Sequence, residues 1–114
     1  METGFIKRGR KFFLTALVYE LFGTCILTMS YLVGSYPIAA SAYFVLWILG
    51  STTSGAHFNP AISLCIFLLQ KSRTEYMAYF ILLLVFQLVG SFFGILLSYI
   101  LMKPDFGSVP FLYP

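Results

Sequence analysis

Charge is what this sequence has least of. Only 10% of its 114 residues are Asp, Glu, Lys or Arg, where a soluble domain carries about 25%. Too few charges exist to coat a water-facing surface, while 60% of the residues are hydrophobic. That balance excludes a soluble globular domain and leaves lipid as the solvent for most of the chain. The net charge of +3 is small and its basic residues are clustered, which argues against nucleic acid as a partner. There is one histidine, His57, with no acid near it in sequence, so no metal site and no cofactor is expected. No nucleophile–base pair marks an enzyme. Cys25 and Cys65 fall in apolar segments and read as free thiols.

What the chain has instead is long apolar runs. The first, residues 12–33, follows the basic lead 1–11 with its Lys7, Arg8, Arg10 and Lys11. As a helix it is about 33 Å long, enough for a ~30 Å hydrocarbon core. It exceeds the ~7–15 residues of a signal-peptide core and no small-x-small cleavage site follows it, so a retained anchor is expected. GSYP (34–37) breaks the run, with Gly34 suited to a helix end and Pro37 to a helix start. A second span is expected over about 38–53 and a third over about 75–102. Residues 103–114, KPDFGSVPFLYP, read as an extended tail.

Between the second and third spans the sequence turns polar and broken: SGAHFNPAIS, residues 54–63. Asn is a favoured N-cap and Pro a favoured first helical residue, so a helix should start at Asn59-Pro60. The apolar stretch that follows, AISLCIFLLQ, stops at QKSRTE (70–75). Twelve helical residues span about 18 Å, roughly half a bilayer. A re-entrant loop and half-helix over 54–70 is the simplest reading. It also keeps six of the seven basic residues on one side, as the positive-inside tendency prefers. That side is cytoplasmic, or the matrix if the membrane is mitochondrial. Ser72 and Glu75 fit a capping box for the third span. Tyr36, Tyr43, Tyr76 and Tyr79 suit the interfacial aromatic belts.

SGAHFNPAIS, a following half-helix and the flanking spans together resemble the first NPA box of the aquaporin, or major intrinsic protein, family. The resemblance covers about residues 10–102, the first of that family's two inverted repeats. ALVYELFGT (16–24) is similar to the family's buried Glu followed by Thr, here Glu20 and Thr24. FQLVGSFFG (86–94) is similar to its Gln-x-x-Gly, here Gln87 and Gly90. The resemblance implies an all-α membrane protein, three transmembrane helices plus one re-entrant half-helix. It implies a pore motif of Asn59, Pro60 and Ala61, with a pore-lining loop of Gly55, Ala56 and His57. Glu20, Thr24 and Gln87 are implied as structural support.

Gly90 and Gly94 form a G-x-x-x-G pattern that permits close helix packing, within the chain or with another subunit. Glu20 in mid-span is costly in lipid and must face protein. The sequence departs from the family in having one NPA box. Its arginines are Arg8, Arg10 and Arg73, none of them beside a second box. Counting back twenty residues from Asn59, where many members place an aromatic filter residue, gives Ala39.

Two readings follow. One is a channel module for water or small neutral solutes, with Asn59 at the pore midplane and a partner supplying the second half-pore. The other is a non-conducting structural subunit of a larger membrane complex. Both require lipid, and both require other membrane chains over the polar midplane, because broken backbone is not tolerated against lipid.

Overall fold

The computed structural model describes residues 9–102, and all their regular structure is helical. Helix α1 is Gly9–Val33, α2 Tyr36–Gly50, α3 Pro60–Leu69 and α4 Arg73–Leu101. No strand occurs among the described residues. Most of the basic lead and the whole tail 103–114 lie outside them.

α1 and α4 form the spine and run in the same direction. Phe13 meets Tyr79 edge to face at 5.1 Å. Further along, Gln87 donates to Glu20 at 3.0 Å, Gly90 abuts Leu21, and Gly94 abuts Cys25 and Thr28. Residue numbers rise together on both helices, so they are parallel. Two parallel helices of one chain oblige the segment between them to carry the chain back once. α2 begins that return antiparallel to α1, with Tyr36 5.4 Å from Tyr31 and Gly50 against the Tyr19 ring. α3 completes it antiparallel to α4, where Ser63 accepts from Gln87 at 2.9 Å and Phe67 stacks on Phe80 at 4.5 Å.

Local signals explain the breaks. Ser35 is extended and Pro37 sits in the first turn of α2, where its missing N–H is not needed. Asn59 caps α3 through its side chain, followed at once by Pro60. At the start of α4, Ser72 makes no side-chain cap bond. Its φ of −103° and ψ of 68° lie outside the extended region from which a cap side chain reaches the first turn, so the expected capping box does not form. The Arg73 guanidinium closes the α3–α4 turn instead, donating to the Leu68 carbonyl at 2.9 Å.

Among the described residues two helices are long and apolar enough to cross a membrane: α1 through its Phe12–Val33 portion, and α4. α2 has 15 residues and is about 22 Å long, short of a ~30 Å core. A hydrogen-bonded turn prolongs it, with Ser54 N–H on the Gly50 carbonyl at 2.9 Å, and 36–54 then reaches about 28 Å.

Buried side chains form two groups. Ala16, Leu17, Tyr79 and Leu83 pack between α1 and α4. Leu46, Ala56 and Phe58 pack with Tyr19, Leu27 and Tyr43 around the loop. Tyr79 is therefore a core residue, 3% exposed, and not part of an interfacial belt, because it stands on the face of α4 turned to α1. Tyr36, at 75% exposure, remains free to occupy one. The outer faces carry Leu14, Phe22, Phe44, Leu49, Leu88 and Phe92, all exposed. An apolar surface this continuous matches lipid and not water.

Candidate functional site: a carboxylate-held loop at a helix start

α1 delivers one acid to the middle of the bundle. Glu20 is fully buried. Its Oε1 accepts from Ser54 Oγ at 2.6 Å and from the His57 N–H at 3.0 Å. Its Oε2 accepts from the Phe58 N–H at 2.7 Å and from Gln87 Nε2 at 3.0 Å. Four donors on two oxygens fill the capacity of an ionised carboxylate, which only accepts. The donors come from the loop after α2 and from α4, so one side chain ties three parts of the chain at one point. This arrangement offsets the penalty of an acid in an apolar interior.

The loop needs such a tie. Gly55 has φ 90°, Ala56 φ 55° and Phe58 φ 51°. Left-handed conformations at the last two are strained for residues with a Cβ, by an order of 1–3 kcal/mol each. Their N–H groups are held: Ala56 donates to Ser54 Oγ at 3.1 Å and Phe58 to Glu20. The Phe58 ring lies against Gly23, where a Cβ would collide with it. Tyr19 and Tyr43 flank the ring at centroid distances of 5.9 and 6.4 Å. Glycine at position 23 is what lets the loop press against α1.

A polar chain continues into α3. His57 Nδ1 pairs with Ser63 Oγ at 3.0 Å, and Ser63 Oγ also accepts from Gln87 Nε2 at 2.9 Å. The Gln87 amide thus directs its nitrogen to Glu20 and Ser63 together. Its Oε1 is buried with no partner among the described residues.

The start of α3 faces the other way. Asn59 Oδ1 accepts from the Ala61 N–H at 2.9 Å, and Asn59, Pro60 and Ala61 are exposed. Ser63 and Phe67 on the same helix are buried. The amino end of α3, with its positive dipole end and the exposed Asn59 side chain, opens away from the rest of this chain; Pro60 has no N–H, and those of Ala61 and Ser63 are taken by Asn59 itself. Chemically it offers hydrogen-bond donors and repels cations.

The structure brings Glu20, His57, Gln87 and the loop together. It does not bring Thr24 to them: the Thr24 hydroxyl bonds back to the Glu20 carbonyl at 2.6 Å inside α1. Gly90 and Gly94 turn to α1 of the same chain. A Cβ at Gly90 would fall on the Leu21 carbonyl, and one at Gly94 would meet the Cys25 carbonyl at 2.7 Å and Thr28 Cβ at 2.8 Å. Ala39 is buried in α2. Among the described residues no group of three His, Cys, Asp or Glu could hold a metal ion. Sequence reasoning passed over Ser54 and Ser63. Ser63 was within reach, since four residues after Asn59 on a helix places it one turn below the cap.

A family model described as Major intrinsic protein matches residues 33–112. The match begins at the last residue of α1, takes in α2, the loop, α3 and α4, and continues into the tail; Glu20 lies before it. Comparisons with curated proteins and with solved structures find no match. The matched segment covers more than two thirds of the sequence and contains the whole broken turn from Ser54 to Ser63. The chain belongs to the major intrinsic protein family.

Proposed function

We propose that the chain is a channel module for water or small neutral solutes, set in the membrane as its family's channels are. In this reading α1, α2 with its terminal turn, and α4 cross the bilayer, and α3 is a half-helix starting near the midplane. The pore motif is Asn59, Pro60 and Ala61. Of the loop, Gly55 is exposed to line the approach while Ala56 and His57 are buried, and Glu20 and Gln87 hold the loop in shape. The observation that carries the reading is the exposed amino end of α3 beside a loop whose inward N–H groups are already taken by Glu20. Polar, broken backbone of this kind is stable at membrane depth only along water or under protein. The site of inverted-repeat membrane folds lies where two half-helices meet. These 114 residues contribute one; in this reading the second half-pore comes from a partner, which covers Asn59.

The test uses the assembly extracted in mild detergent and reconstituted whole. Its vesicles should shrink under an osmotic step several-fold faster than empty ones, and Asn59→Asp should remove the increment. Shrinkage no faster than in empty vesicles would mean a non-conducting subunit. Topology is checked separately: in a Cys65→Ser background, Thr52→Cys and Ser72→Cys should both react with an impermeant maleimide from one and the same side. Reaction from opposite sides would end the half-helix reading.

A further inference from the structure

The parallel register of α1 and α4 gathers three helix ends at one end of the bundle: the start of α1, the end of α3 and the start of α4. Phe13 touches Tyr79 at 5.1 Å, Phe67 stacks on Tyr76 at 6.3 Å, and Arg73 donates to the Leu68 carbonyl at 2.9 Å. Among the described residues four basic ones belong to these segments, Arg10, Lys11, Lys71 and Arg73. Lys7 and Arg8 precede α1 in the sequence, Arg10 and Lys11 fall in its first turn, and Lys71 and Arg73 flank the α3–α4 turn. Among the described residues of these segments Glu75 is the one acid. Lys71 and Arg73 are exposed, and a hydrogen bond to a neutral carbonyl leaves the charge of Arg73 undiminished.

Immediately beside these cations the surface becomes apolar. Leu68 is 51% and Leu69 78% exposed, and Met77 and Ile81 follow on α4. A soluble polyanion would gain nothing from that leucine face. A phospholipid would use both parts, its phosphate on the cations and its acyl chains along the leucines. We infer that this end of the bundle binds anionic phospholipid headgroups of the leaflet it faces. The seat is formed by the first turn of α1 and the α3–α4 turn. Juxtamembrane clusters of four to eight Lys/Arg attract anionic lipids through this chemistry. The inference rests on insertion in a membrane and not on conduction, so either can fail alone.

The experiment reconstitutes the full chain in phosphatidylcholine with trace spin-labelled phosphatidylglycerol or spin-labelled phosphatidylcholine. The motionally restricted fraction of each label gives their relative association. Phosphatidylglycerol should be preferred by about fivefold or more, and the preference should fall toward one in about 1 M salt, where charges are screened within ~3 Å. The Arg10→Gln/Lys11→Gln/Lys71→Gln variant should lose most of it, while Lys71→Arg keeps it; helical content by circular dichroism confirms that both are folded. Equal association of the two lipids overturns the inference. So does a preference that survives both salt and the triple variant.

Discussion

Two stretches of the α1–α4 contact are joined by opposite means. At Glu20 and Gln87 the helices are held by polar atoms in number, four donors on one carboxylate. One and two turns further, at Gly90 and Gly94, they are held by the absence of atoms, because glycine lets the α4 backbone approach the carbonyls of Leu21 and Cys25. In lipid no hydrophobic force draws one apolar helix to another, so close packing and hydrogen bonds must do so. The comparison separates their tasks. The glycine seam sets how near the helices come, and the carboxylate sets which loop conformation they enclose.

Removing the carboxylate should have the largest effect. Glu20→Ala leaves two backbone N–H groups, the Ser54 hydroxyl and one Gln87 N–H without their acceptor. At about 1–3 kcal/mol for each buried orphan, and with the Ala56 and Phe58 strain no longer opposed, a loss on the order of 4 kcal/mol or more is expected. Denaturant unfolding in detergent measures it, and a loss below about 1 kcal/mol would show that the loop holds itself.

Filling the seam comes next. Gly90→Leu sets a side chain against the Leu21 carbonyl, which is backbone and cannot swing aside. Overpacking of this kind costs typically about 1–3 kcal/mol. A double mutant with Glu20→Ala tests whether the two joins are independent, since separate sites add and coupled ones do not. The smallest effect is expected from Ser91→Ala. Its bond with Thr28 is 3.5 Å long, at the outer limit of such contacts, and interhelical side-chain bonds in membranes average about 0.6 kcal/mol. A shift beyond 1 kcal/mol in the same assay would show that this long bond holds the seam together with the glycines.

How far this arrangement could be read from sequence depended on whether a feature was local. The start of α3 is local: Asn59 followed by Pro60 is a cap and a first turn in any context. The breaks at Gly34 and Pro37 are of the same kind. The direction of α4 relative to α1 was expected from the shortness of the apolar stretch after Pro60 and from the placement of charges, while in the structure it follows from pairs such as Phe13 with Tyr79. What sequence did not carry was the meeting of distant groups. Ser54 looks like one more polar loop residue until Glu20, 34 positions earlier, receives its hydroxyl. The positive φ of Ala56 and Phe58 contradicts local preference and exists because the carboxylate enforces it. Tyr79 carries the same side chain as the exposed Tyr36, and only the face of α4 on which it stands separates core from surface. Gly90 and Gly94 left open whether their partner was this chain or another, and the position of α1 answers that.

The wide separation of the groups that meet at Glu20 has a temporal side. Its partners Ser54, His57, Phe58 and Gln87 come 34, 37, 38 and 67 positions later in the chain. At a ribosomal pace of about 5–20 residues per second, α1 exists for about 3–13 s before the last of them is made. Throughout that interval a lone acid in lipid is unfavourable by a few kcal/mol, so the nascent helix should linger in the wet interior of the insertion machinery and enter the bilayer only as part of a group. Ribosome-stalled chains ending before Gln87 should crosslink from α1 to that machinery, and chains long enough to have delivered Gln87 should crosslink to lipid; early lipid crosslinks from the shorter ones would show that α1 goes in by itself.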